Sequence, residues 1–198
     1  MQESDPAFFE RLAHGQTPQV LWIGCADSRV PANQVVGAPP GEIFVHRNVA
    51  NLAVHTDMNC LSVIQYAVDV LKVTDIMLVG HYGCGGIRAA LEGGKNGLID
   101  NWLRHIQDVA RQHKDALDRC ATFEARCDRL CELNVVEQMV NVTRTSIVQD
   151  AWDRGQPLEV HGCIYHLKDG LLKSLRVCSS SQEALLERYP EVIAKLSE

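Results

Sequence analysis

Val20-Leu21-Trp22-Ile23-Gly24-Cys25-Ala26-Asp27-Ser28-Arg29 passes from an apolar run into a cluster of polar, metal-binding side chains. Ile76-Met77-Leu78-Val79-Gly80-His81-Tyr82-Gly83-Cys84-Gly85-Gly86 does the same further along the chain. Both read as a buried strand giving way to a loop. Strand-like runs at 43–46 and 158–165 are separated from these by segments of helical periodicity, the alternation of an α/β fold with a parallel sheet. From Asp57 to Lys72, Leu61, Ile64, Val68 and Leu71 recur at steps of three and four behind Thr56 or Asp57 as N-cap, which predicts a crossover helix. Further helices are predicted over about 98–115, from near Thr122 to about Asp153, and from about Ser181 to Leu196. Lys168-Asp169-Gly170 lies between the apolar stretches Leu158 to Leu167 and Leu171 to Cys178 and signals a hairpin, so the last strand should run antiparallel. The expected fold is thus a single α/β domain over 1–198, with a mostly parallel central sheet of order 2-1-3-4, an antiparallel C-terminal strand, and flanking helices. Right-handed crossovers in that order open a crevice between the first and third strands, and both quoted segments end there.

Cys25, Asp27, His81 and Cys84 supply two thiols, a carboxylate and an imidazole, a donor set that zinc accepts in a tetrahedron. Taken singly, each has a plainer reading. A free cysteine is commonly core, an aspartate commonly caps a turn or helix, and Cys84 before two glycines could be a reactive thiol at a helix N-terminus. Their convergence on one crevice favours the metal reading, and a displaceable Asp27 would make the fourth position available to water. Cys120, Cys127 and Cys131 fall at helical spacing and read as buried small residues of one helix face. His46, His55, His105, His113, His161 and His166 show no comparable grouping.

A length of 198 residues with 46% hydrophobic and 22% charged side chains is that of an ordinary globular protein with one sizeable core. No apolar run approaches the roughly 18 residues of a membrane span, and the acidic stretch Met1 to Glu10 lacks the layout of a signal peptide, so a cytoplasmic location is expected. A net charge of -6 without any Lys/Arg run argues against nucleic acid or an anionic membrane as partner. Eight irregularly spaced cysteines fit thiols and ligands in a reducing compartment better than a disulfide framework.

Three stretches carry a specific resemblance: Trp22 through Pro31, Phe44-Val45-His46-Arg47-Asn48-Val49-Ala50-Asn51, and Gly80 through Gly86. With Cys131-Glu132-Leu133-Asn134-Val135 and the segments His161-Gly162 and Asp169-Gly170-Leu171-Leu172, the chain resembles the β-class carbonic anhydrases along nearly its whole length, specifically their bacterial, bicarbonate-regulated branch. That resemblance implies one Zn²⁺ per chain on Cys25, His81 and Cys84, with Asp27 either ligating the metal or paired with Arg29. It implies reversible hydration of carbon dioxide to bicarbonate and a proton by zinc-bound hydroxide, with Asp27 and Arg29 as the catalytic gate. It also implies an inhibitory bicarbonate site of Trp22, Arg47 and Tyr165, and assembly as a homodimer or dimer of dimers. The plainer readings of these three are core packing, a surface or interface ion pair, and a sheet aromatic. Two departures stand out. The helical segment that commonly precedes the position of Asp5 and wraps a partner subunit is short, and Cys163 stands where an aromatic is frequent, implying looser packing beside Tyr165. A related hydrolase of CS₂ or COS, or a non-catalytic zinc or bicarbonate sensor in which Asp27 stays on the metal, would share the same ligand set.

Overall fold

In the computed structural model, which describes residues 7–197, β1 (Val20–Cys25) is flanked by β2 (Ile43–Asn48) and β3 (Asp75–His81), followed outward by β4 (Glu159–His166) and β5 (Leu171–Ser179). The five strands form one sheet of order β2-β1-β3-β4-β5, parallel except for the β4–β5 hairpin, as the turn at Asp169-Gly170 predicts. Cys25 pairs with Asn48 and Gly24 with Val79, so the carboxyl ends of the three inner strands are in step.

β1 is buried on both faces, as a central parallel strand should be. Leu21, Ile23 and Cys25 point into the main core, which is filled from α3 (Met58–Gln65), α4 (Gly85–Glu92), α5 (Ile99–Gln112), α7 (Phe123–Thr143) and α8 (Ser146–Asp153). Trp22 points the other way, into a smaller cluster with Val30, Ala32, Val79 and Cys163 beside α2 (Ala32–Val36). Cys163 is itself buried there. α7 lies directly on the sheet because β3 presents a glycine to it: a Cβ on Gly80 would come within 2.6 Å of Val135 Cγ2.

Several predicted helices are interrupted. The crossover segment starts at Asp57, whose side chain accepts from Asn59 N–H, but α3 ends at Gln65, continues as one π turn over Tyr66–Val70 and stops at the left-handed Lys72. The helix predicted over 98–115 breaks at His113, whose ring is tied to Glu137, and α6 (Lys114–Asp118) follows. The one predicted from near Thr122 to Asp153 is two helices. Thr145 accepts from Val148 N–H to cap α8 and donates back to Val142 C=O, closing α7 at Thr143. Cys120 consequently lies before α7, outside the face that carries Cys127 and Cys131, and Thr122 is the N-cap. α9 (Gln182–Lys195) ends the chain and α1 (Phe8–His14) precedes the sheet; the segment before Asp5 lies outside the described residues. Among the described residues no helix is long and apolar enough to cross a membrane.

Candidate metal centre

The loops after β1 and β3 bring Cys25, His81 and Cys84 together, all buried, with their ligand atoms within 4.8 Å of one another. The two sulfurs are 3.9 Å apart. Two thiolates about 2.3 Å from a tetrahedral zinc are separated by roughly 3.8 Å, so the pair is spaced for the ion. His81 Nδ1 faces the carbonyl of Tyr82 at 3.0 Å. A carbonyl only accepts, so the proton sits on Nδ1 and the lone pair on Nε2. Nε2 is buried and has no hydrogen-bond partner, an arrangement that is costly without an ion and natural with one. The residues present therefore fit zinc.

Cys25 is held at the end of β1, where its Sγ receives the backbone N–H groups of Asp27 and Ala50, each at 3.4 Å. Bonding from the Cys84 thiol and from these two amides favours the Cys25 thiolate and outweighs its burial. Cys84, the N-cap of α4, holds its proton more tightly because it shares it with Cys25 and is itself buried.

Asp27 is drawn onto Arg29. Arg29 donates from its backbone N–H and Nε to Asp27 Oδ1, at 3.0 and 2.9 Å, and from Nη2 to Oδ2 at 2.6 Å. Nη2 also reaches Gly83 C=O at 3.3 Å, linking the two loops. This two-point, charge-assisted pairing holds the Asp27 carboxyl well below the usual carboxylate range. A depressed folded-state pKa means the pairing is intact above the ordinary aspartate range and is lost only as pH falls through the lower, folded value. Asp27 thus stays ionised throughout mild acid. Its Oδ2 lies 3.8 Å from His81 Nε2.

A second group of donors, Asp75, Glu159 and His161, sits at the opposite end of β3 and β4. It is partly exposed, and His161 Nε2 is already engaged by Asp75 Oδ1 in a 2.8 Å hydrogen bond.

The protein-family model described as carbonic anhydrase matches residues 20–172. The carbonic anhydrase of Emericella nidulans is 49% identical over 175 residues, covering 88% of this chain and 76% of that protein. The chain belongs to the β-class carbonic anhydrases. Among solved structures, this carbonic anhydrase is similar to one from the ascomycete Sordaria macrospora, described as tetrameric, with a TM-score of 0.85 at 39% identity over 90% of each chain. The Coccomyxa β-carbonic anhydrase solved with acetazolamide gives a TM-score of 0.89 at 38% identity, covering 96% of this chain and 89% of that one. The matches do not single out the bacterial branch, since strong similarity runs to fungal members. The buried Cys25–His81–Cys84 group is consistent with a zinc site of this class.

Trp22, Arg47 and Tyr165 share one face of the sheet by register, Arg47 standing opposite Gly24 and Tyr165 opposite His81. The Trp22 indole folds over Gly24, where a Cβ would come 2.2 Å from Nε1. Its N–H is buried and unpartnered. Arg47 plays a part that the sequence did not reveal: Nε donates to Cys25 C=O at 2.7 Å and Nη2 to Asp27 C=O at 2.5 Å, fastening the loop that carries both residues. Gly24→Ala should cost about 1–3 kcal/mol of stability through overpacking against the indole. Urea unfolding checks this, and an unchanged midpoint would show that the indole can move aside.

Proposed function

We propose that this carbonic anhydrase holds one zinc per chain on Cys25, His81 and Cys84 and hydrates carbon dioxide reversibly, with Asp27 and Arg29 controlling the fourth metal position. One observation carries the reading: two buried thiols and an unpartnered imidazole nitrogen converge beside a carboxylate already drawn onto an arginine. Zinc, when bound, supplies the Lewis acid that makes water nucleophilic near neutral pH. With the ion bound, the Cys25 and Cys84 thiolates would balance its charge and His81 Nε2 would be its third protein ligand. Arg29 would keep Asp27 off the fourth position, and the carboxylate, ionised from mild acid upward, would accept a hydrogen bond from the attacking water and orient it. Asp27 on the metal instead would give a closed, inactive centre. Stopped-flow hydration of carbon dioxide by the zinc-loaded protein, beside a carbon disulfide assay, tests this. Fast hydration that chelation abolishes and zinc restores is expected, whereas hydrolysis of carbon disulfide without hydration would point to the related hydrolase.

The unpartnered Trp22 N–H supports the finer reading of a bicarbonate site with Tyr165 and Arg47, the feature of the bacterial branch, in which the bound anion favours the closed centre. An anion shifts such an equilibrium only by its differential affinity for the two states. Activity should climb steeply with pH, as the attacking water is more readily deprotonated and the bicarbonate-stabilised closed state is lost. Arg47→Ala would also free the backbone of Cys25 and Asp27, so Trp22→Phe is the cleaner test. Losing one bond to a charged ligand, about 1.5–3 kcal/mol, should weaken bicarbonate inhibition at mildly acidic pH by roughly tenfold or more. Equal inhibition of parent and variant would remove the case for the site. A single domain, a cytoplasmic setting and a homodimer or dimer of dimers complete the proposal, the last supported by the tetrameric Sordaria relatives.

A further inference from the structure

Between β2 and α3 the chain makes a turn that no glycine explains: Ala50 and Asn51 are both left-handed, with φ of 65° and 48°. Asn tolerates this region but alanine avoids it, so the left-handed Ala50 persists only where surrounding structure over-determines it. The turn is also what aims Ala50 N–H at Cys25 Sγ, 3.4 Å away. The peptide carbonyl of the same residue is gripped from the far side. Asn134 Nδ2, on α7, donates to Ala50 C=O at 3.0 Å. Gln138, one helical turn on, donates to Asn134 Oδ1 at 3.1 Å, and its Oε1 accepts from Ala53 N–H at 2.9 Å. Asn134 and Gln138 are among the few buried polar side chains of a helix otherwise packed with apolar residues, being 0% and 2% exposed.

We propose that Asn134 and Gln138 are positioning residues for the metal centre: together they hold the left-handed Ala50–Asn51 turn so that Ala50 N–H bonds the Cys25 sulfur and fixes its direction and donor strength toward zinc. The amide pair does not touch zinc or substrate; it acts through the turn. Its mode of action is specific. Asn134 fixes the orientation of one residue, Ala50, whose carbonyl it binds and whose N–H meets the sulfur. The inference rests on the zinc reading above.

Partners of metal ligands typically change metal affinity by 10–100-fold when removed. Asn134→Ala should lower zinc affinity, measured by chelator competition, by a factor in that range. In the cobalt-loaded protein the thiolate-to-metal absorption band should move to longer wavelength, because a sulfur that has lost a hydrogen bond is the more easily oxidised donor. Glycine adopts the turn's conformation without strain, so adding Ala50→Gly to Asn134→Ala should recover most of the affinity and the band position. A cavity or general loosening of α7 would not be repaired by a change at residue 50. Met139→Ala, a buried apolar truncation on the same helix, should leave the band in place. If Asn134→Ala does not fold, Gln138→Glu, which keeps the acceptor for Ala53 and removes the donor to Asn134, should show the same pattern at several-fold amplitude. Parent-like affinity and band position in the folded Asn134 or Gln138 variant, or no recovery with Ala50→Gly, would overturn the inference. Failure of the parent itself to bind zinc would instead overturn the metal reading.

Discussion

Cys84→Ala should lose nearly all of its zinc and all measurable carbon dioxide hydration. The remaining donors would be one thiolate, one imidazole and a carboxylate that Arg29 holds through three hydrogen bonds. Zinc affinity depends on deprotonated ligands presented together, and removing a thiolate takes away both a bond and the charge that balances the ion. Asp27 could substitute only by leaving Arg29. Metal analysis after dialysis checks this directly; full zinc occupancy in the variant would mean that Cys84 is not a ligand. Cys84 is also the N-cap of α4, but it makes no side-chain capping bond, so the fold should survive the substitution.

Arg29→Ala should keep its zinc and lose most hydration activity, a drop on the order of a hundredfold or more, comparable with removal of an electrostatic catalytic group. In the parent, Arg29 binds both carboxylate oxygens of Asp27. Without it, an ionised carboxylate 3.8 Å from His81 Nε2 has the metal as its strongest available partner. The inactive state is then set by the missing competitor, and raising the pH from 6 to 9 should not relieve it, because a carboxylate in the ordinary aspartate range is already ionised there. Steady-state hydration from pH 6 to pH 9 on zinc-replete protein checks both statements; near-parental rates would show that Asp27 is not gated by Arg29.

Strand order and the meeting of Cys25, His81 and Cys84 were legible in the sequence because each rests on local signals. The apolar runs at 20–24 and 76–80 declare buried parallel strands, and the rule that crevices open at their carboxyl ends brings the two loops together. What could not be read depended on distant contacts. His113 looks like any helical residue, and the break there reflects its tie to Glu137 on α7. The stop after Thr143 is made by Thr145 turning back on Val142, in a stretch whose periodicity would carry a helix straight through. Asn51 is of a type that tolerates a left-handed turn, but Ala50 carries no mark of one, because what holds it there is Asn134, far along the chain. Asn134 was visible only as part of a resembling segment without a role. Arg47 was read as an anion ligand, whereas its guanidinium also fastens the backbone of Cys25 and Asp27, a contact set by strand pairing and side-chain reach together.

Zinc K-edge absorption of the metal-loaded protein at pH 8 to 9 tests the central claim most directly, since it counts sulfur neighbours without relying on turnover. Two sulfurs at about 2.3 Å with two lighter atoms near 2.0–2.1 Å, one of them an imidazole nitrogen, is the expected first shell. A shell with one sulfur or none, or with three or four, would contradict the assignment of Cys25, His81 and Cys84.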